Sequence, residues 1–341
     1  DMRKHPLFAL TVAPAARAIH AVTGFSRRDS ARVTFALLAA LNVLIAFRCL
    51  RILLGEAPAA ALAAALHGLL FAHLAFWSVP ETASLASLAL CLFWWMFLRF
   101  APAPSPRRIL LLGAVAGVGA LATPPLGLLT LPAAWMAWRT LPRRAALRWI
   151  AAEGALALAI FLAVALALFG AGFFESSARY SETWASAANF LAPSRILNVF
   201  VSFFLYSAVS PLSELRAGLD LRHFSEYWRS PLPACAAFAW LAALGGAIWT
   251  FARLLRQRRE SSPDPAISVF AGAAIVWIAV IVPFYIYFNP REAFLYSGQA
   301  LGAIYFLMAG ALREWSALWR RAVPLALGAL LGFVNLRCLY G

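Results

Sequence analysis

Three short polar stretches in a very apolar chain carry the residue types that do chemistry. Asp1-Met2-Arg3-Lys4-His5-Pro6-Leu7-Phe8 sets a carboxylate, two cations and an imidazole beside a proline. Trp77-Ser78-Val79-Pro80-Glu81-Thr82 holds a single acid, and Tyr287-Phe288-Asn289-Pro290-Arg291-Glu292-Ala293-Phe294 sets an acid next to an arginine. A carboxylate can take a proton from an attacking hydroxyl or amine, and arginine or lysine can hold an anion, arginine with a planar fork. The same spacings also have a purely structural reading. Ser78-x-x-Glu81 and Asn289-x-x-Glu292 are capping boxes with Pro80 and Pro290 in the first helical turn, where the missing N–H costs nothing and a carboxylate complements the helix dipole. What favours chemistry is that all three stretches fall on one expected face of a membrane.

The elements that must position them follow from composition. The chain has 341 residues, 63% of them hydrophobic and 13% charged, against about 45 to 50% apolar in soluble domains. It is therefore an integral membrane protein. A span needs about 20 apolar residues, because a rise of about 1.5 Å per residue must cross about 30 Å of hydrocarbon. That ruler marks spans at 31–53, 58–76, 82–99, 149–169, 232–252, 266–288, 293–311 and 322–340. Two shorter runs, 109–122 and 126–138, are separated by Thr123-Pro124-Pro125 and read as a paired hairpin. The run 195–212, broken by Arg195, Asn198, Ser202, Ser207, Ser210 and Pro211, reads as a dip that does not cross. Residues 1–30 are too polar to span. The expected fold class is all-α, a polytopic transmembrane helical bundle of about 10 membrane segments with extracytoplasmic loops.

Charge supplies the orientation. There are 29 Lys and Arg against 14 Asp and Glu, a net charge of +15, and Lys4 is the only lysine. These cations lie in short clusters between apolar runs, which excludes a nucleic-acid-binding stripe and fits cytoplasmic loops under the positive-inside rule. Arg99 with Arg107 and Arg108, Arg139 to Arg148, Arg253 to Arg259, and Arg313 with Arg320 and Arg321 are placed inside. The expected divisions are an extracytoplasmic juxtamembrane segment at 1–30, a transmembrane module at 31–169, an outer loop with the dipping segment at 170–231, and C-terminal spans at 232–341. Arg3, Lys4, Arg17, Arg27, Arg28 and Arg32 then lie outside, against the rule, which points to an anionic ligand or to orientation fixed upstream. The chain opens at Asp1 with no initiator methionine and reads as a trimmed piece.

Interior features read as packing. Gly113 with Gly117 and Gly328 with Gly332 are GxxxG spacings. Trp77, Trp94, Trp95, Trp135, Trp138, Trp149, Trp315 and Trp319 fall at span ends as belt residues. His67 and His73 lie six positions apart, about 600° of rotation on a continuous helix, and so share no face for a metal. Glu153 is placed to snorkel or pair with arginines, and Cys49, Cys91, Cys235 and Cys338 are packed thiols without CxxC spacing.

Asp1 to Phe8 followed by Pro14, the short-loop acid of Val79-Pro80-Glu81-Thr82, and the hairpin Leu121-Ala122-Thr123-Pro124-Pro125-Leu126-Gly127-Leu128-Leu129 with Pro132 together resemble the GT-C superfamily. These are glycosyltransferases that use polyprenyl-phosphate-linked sugars, and the likeness is to the protein-mannosyltransferase and aminoarabinose-transferase branch. It covers roughly the first half of the chain. The resemblance implies a multi-pass protein of the bacterial inner membrane that moves a sugar from a polyprenyl-phosphate-linked donor to an acceptor on the extracytoplasmic side, with membrane lipids and no nucleic acid as its partners. By this resemblance Asp1 matches a first-loop catalytic acid and Glu81 the second-loop acid. Arg3, Lys4, His5 and Arg291 then hold the donor phosphate, and Glu292 supports the acceptor or the site. The charge of the leaving phosphate calls for these cations or for a divalent cation. Two other classes stand beside this one: a transporter or flippase of a lipid-linked anion, and a catalytically silent scaffold of the same fold.

Overall fold

The computed structural model describes residues 6–78, 82–170, 172–211, 221–257 and 265–340. Among the described residues every regular element is helical, as a bilayer requires of a chain that must satisfy its own backbone groups. In order the helices are α1 (Pro6–Leu10), α2 (Val12–Thr23), α3 (Arg27–Leu54), α4 (Ala57–Leu69), α5 (Phe71–Ser78), α6 (Thr82–Phe100), α7 (Pro106–Ala122) and α8 (Thr130–Thr140). There follow α9 (Arg143–Phe169), α10 (Gly172–Trp184), α11 (Pro193–Val201), α12 (Pro231–Gln257), α13 (Pro265–Phe288), α14 (Ala293–Tyr296), α15 (Gly298–Leu312) and α16 (Ala317–Tyr340).

Seven helical stretches among the described residues are long and apolar enough to cross a membrane, and two further pairs pass together although bent. The bent pairs are α4 with α5, at 61°, and Pro290–Tyr296 with α15, at 58°. All eight spans read from hydropathy correspond to one of these. The ninth stretch, Pro6–Thr23, overturns the reading that residues 1–30 are too polar: it meets the length and hydropathy of a short span. It is nevertheless interrupted at Thr11 and mostly exposed, with Arg17 and His20 on its surface.

Small residues decide which helices touch. A Cβ on Gly113 would lie 2.6 Å from Cγ of Glu153, and one on Gly117 2.6 Å from the Ala157 carbonyl oxygen, so α7 and α9 approach as closely as backbones allow. Gly332 meets Leu69 of α4 in the same way, at 3.0 Å. The expected hairpin is present, with α7 turning through a 3₁₀ segment at Pro124–Leu129 into α8. Glu153 departs from expectation. It is buried against α7, and neither carboxylate oxygen has a hydrogen-bond partner among the described residues, so it does not snorkel. Trp94 is likewise no belt residue: it is fully buried with edge contacts to Phe93, Phe97 and Phe270. Cys49, Cys91 and Cys338 are packed thiols, but Cys235 is exposed on α12.

The break between α4 and α5 frees backbone groups inside the bundle, and residues 193–211 satisfy them. Here α11 continues into a π-helical turn at Ser202–Tyr206 that is almost wholly buried. The amides of Phe71 and Ala72 donate to the carbonyls of Ala208 and Ser207 at 3.1 and 2.8 Å. Asn335 of α16 clamps the junction: its amide donates to the carbonyls of Leu69 and Ala208 at 2.9 and 2.8 Å, and its oxygen accepts from the amide of Ser210 at 2.9 Å. Non-helical backbone at membrane depth is tolerated because it is buried in protein and paired.

Candidate active-site face

The three polar stretches are far apart in sequence, and the described residues that flank them converge at one end of the bundle. Val12, Phe35, Leu85 and Ala122 form a small buried cluster against which Leu7, Phe8 and Trp77 pack. Leu7 and Phe8 thus sit beside Trp77, at the entry to the second stretch, and on the end of α7, where the hairpin turns. From there Phe76 stacks towards Phe294 with ring centroids 5.5 Å apart, and Phe71 approaches the same ring at 5.4 Å. This ties the second stretch to the third. The bend after α4 makes the contact possible, since it swings α5 onto α14.

Asp1, Arg3, Lys4, His5 and Glu81 lie outside the described residues, so of the seven predicted site residues the geometry addresses Arg291 and Glu292. Arg291 is exposed at the surface of this face. Asn289 caps the turn as read from sequence, the Glu292 amide donating to its Oδ1 at 3.4 Å, but the reciprocal half of the box is replaced: the Glu292 carboxylate accepts from the Asn289 side-chain amide at 2.8 Å, and the Asn289 backbone amide donates to the Tyr285 carbonyl. The cap is therefore real, and the carboxylate remains half-exposed beside it.

Sequence reading missed how the third stretch is held. Asn189, in the 3₁₀ turn Ala187–Asn189, donates to the carbonyls of Tyr287 and Trp184 at 2.7 and 3.3 Å, and its oxygen accepts from Arg195. Asn198 of α11 donates to the Pro290 carbonyl at 2.6 Å. Phe190 stacks on Tyr287 at 6.0 Å. Asn198 and Arg195 were read only as interruptions of an apolar run. Their signal was the cost of polar groups in such a run; Arg195 bonds Asn189 only 6 positions back, but sequence alone could not connect Asn198 to Pro290, 92 positions away.

The histidine pair also departs from expectation. His67 and His73 pack with ring centroids 4.1 Å apart and planes tilted by 48°, because the break at Leu70 removes the helical rotation that would have separated them. Around them Nδ1 of His73 meets the Ser87 hydroxyl at 3.4 Å, Ser87 accepts from Asn42 at 3.4 Å, and Nε2 of His67 lies 3.9 Å from the Cys91 sulfur. Among the described residues no three His, Cys, Asp or Glu side chains are grouped to hold a metal ion. The pair forms a buried polar core beneath the active-site face.

An apolar helical bundle with this many spans is a multi-pass integral membrane protein. The family model for dolichyl-phosphate-mannose-protein mannosyltransferases matches residues 4–167, just under half of the chain. This bears out the resemblance drawn from the loop residues, and the matched part supports a membrane glycosyltransferase similar to the GT-C type. The match includes Lys4, His5, Glu81 and the 121–132 hairpin, whereas Asp1, Arg3, Arg291 and Glu292 fall outside it. No curated protein sequence matches the chain.

Proposed function

We propose that the protein transfers a sugar from a polyprenyl-phosphate-linked donor to a hydroxyl or amine acceptor at the extracytoplasmic surface of a bacterial cell membrane. The observation that supports this most is the convergence of the three stretches, through Leu7 and Phe8 on Trp77 and through Phe76 on Phe294, at the end of a bundle whose first half matches the mannosyltransferase family. In this reading the acceptor oxygen or nitrogen attacks the anomeric carbon and its proton passes to a carboxylate, Glu81 or Asp1. The bond from the anomeric carbon to the phosphate oxygen breaks, and the electron pair leaves on the phosphate. Arg3, Lys4, His5 and Arg291 offset that growing negative charge, and a divalent cation would supply the same charge. Glu292, fixed by Asn289, supports Arg291 and the acceptor side.

Broken spans are also a device of transporters, which set them around a central cavity. Here both breaks are packed: Leu70 and Ser297 are fully buried, and Phe71 and Phe76 close on Phe294. That packing favours the transferase reading.

Glu81→Gln tests it. A cap alone tolerates the change, since glutamine also returns a hydrogen bond and the dipole contribution lost is about 0.3 to 1 kcal/mol. A proton acceptor or charge-bearing group does not, and its loss costs about 10² to 10⁴ in rate. The measurement is sugar transfer from a polyprenyl-phosphate-linked donor, beside the melting temperature. Lost transfer at an unchanged melting temperature is expected, and full activity would remove Glu81 from the chemistry.

A further inference from the structure

The 3₁₀ segment Leu221–Arg229 runs directly into α12, which spans the membrane over Pro231–Ala252, and its residue types are sorted to different edges. With three residues per turn, Phe224 and Tyr227 share one edge, His223, Glu226 and Arg229 a second, and Arg222, Ser225 and Trp228 the third. On the charged edge Glu226 pairs with Arg229 at 2.8 Å. Beside it the exposed rings of Phe224 and Trp228 stand edge to face with centroids 6.2 Å apart. Charges along one edge and exposed aromatic rings next to it are the pattern of an element that lies in a membrane surface.

Two contacts fix the level of this segment in the bundle. Trp228 meets Phe238 with ring centroids 5.6 Å apart, and Phe238 lies seven residues beyond Pro231, about 10 Å along α12. The segment therefore folds back along the first turns of the span and does not stand above it. Tyr227 is buried, and its hydroxyl donates to the Val209 carbonyl at 2.6 Å. Val209 follows Ala208, whose carbonyl accepts from the Phe71 amide at the break in the α4–α5 span. The inner edge is thus held at the level of a broken span, while Phe224, Trp228 and Phe238 stay 38, 56 and 60% exposed on the outside. Leu241, the next residue along that side of α12, is exposed as well. The rings are therefore continuous with the lipid-facing surface of α12, where tryptophan beside charged groups suits the headgroup boundary. A sugar platform also uses exposed aromatic rings, but it must open to water, whereas these rings lie down the side of a span.

We infer that residues 221–229 seat in the glycerol and upper acyl layer of the adjoining phospholipid leaflet, with Phe224 and Trp228 inserted beside Phe238. The inference does not depend on the sugar chemistry. Of the four cysteines only Cys235 is exposed, so Cys235→Ala clears the background for a nitroxide on Phe224→Cys, Trp228→Cys, Arg229→Cys or Phe238→Cys. The full chain is reconstituted in phosphatidylcholine vesicles, and power saturation compares collisions with oxygen, which concentrates in hydrocarbon, and with a water-soluble nickel chelate. Oxygen should dominate at positions 224 and 228 as it does at the lipid-facing benchmark 238, and the oxygen-to-nickel ratio should be several-fold lower at 229. Adding Trp228→Ser to Phe224→Cys should lower the ratio at 224 several-fold, and monodispersity on gel filtration establishes that each variant is folded. Nickel-dominated collisions at 224 and 228, as a sugar platform open to water gives, would overturn the inference. An unchanged ratio in the Trp228→Ser background, or spin–spin broadening that shows a second copy of the chain on these rings, would overturn it equally.

Discussion

Replacing Asn335 by alanine should cost more stability than any exposed loop change, because three backbone groups depend on it. Asn335 is fully buried and bonds Leu69, Ala208 and Ser210 at 2.8 to 2.9 Å. The break at Leu70 interrupts ordinary helical pairing, so alanine leaves the Leu69 carbonyl and the Ser210 amide without this partner at membrane depth, while the Ala208 carbonyl keeps the bond from the Phe71 amide. A typical protein hydrogen bond contributes about 0.5 to 1.5 kcal/mol net, and an unsatisfied buried group costs about 1 to 3 kcal/mol. Within membranes, side-chain hydrogen bonds average only about 0.6 kcal/mol, because polar groups find other partners. Three bonds at that lower figure give about 2 kcal/mol, and the cost of the two buried groups that lose this partner raises the expectation to about 2 to 4 kcal/mol. The assay is reversible unfolding from bicelles by dodecyl sulfate, followed by tryptophan fluorescence. Sugar transfer should fall in the same variant, since the bend directs α5, Phe76 and Trp77 to the active-site face. A loss below about 0.5 kcal/mol would refute the reasoning, because it would show that the broken backbone finds partners without Asn335. Ser210→Ala, which removes the contact of the hydroxyl with the Cys338 sulfur at 3.1 Å and keeps the backbone amide that Asn335 accepts from, is the control and should be close to silent.

Gly117→Val should destabilise the α7–α9 pair by about 1 to 3 kcal/mol or more, since its Cβ alone would already lie 2.6 Å from the Ala157 carbonyl oxygen; dodecyl sulfate unfolding reads the change, and a neutral result would contradict the close approach. Glu292→Gln should change the melting temperature little, because glutamine can still accept from Asn289, whereas Asn289→Ala should remove the cap at about 0.5 to 2 kcal/mol. Transfer assays on Glu292→Gln then separate a supporting role from capping: preserved turnover would leave it a cap alone.

Hydropathy and charge carried the membrane class, the eight principal spans, the short hairpin and the tight glycine faces, because each is a property of one helix against a uniform solvent. The spacing of Asn289 and Glu292 was likewise enough to specify their cap, a contact within one turn. The loop residues of the first half also carried the likeness to the mannosyltransferase family. What sequence could not supply were the breaks. Nothing within Leu69-Leu70-Phe71 differs from an ordinary apolar span, so the rotation computed from His67 to His73 assumed a continuous helix and failed. The bend exists because residues on other segments, Asn335 and the Ala208 and Ser207 carbonyls, satisfy the backbone it exposes. Trp94 and Glu153 were misread for the same reason, since burial depends on which neighbour a helix face meets. The gathering of the three polar stretches at one end was anticipated only as a shared side of the membrane. Their contact rests on Trp77 meeting Leu7 and Phe8, and on Phe76 meeting Phe294, pairings between residues about 70 to more than 200 positions apart that only tertiary packing can decide.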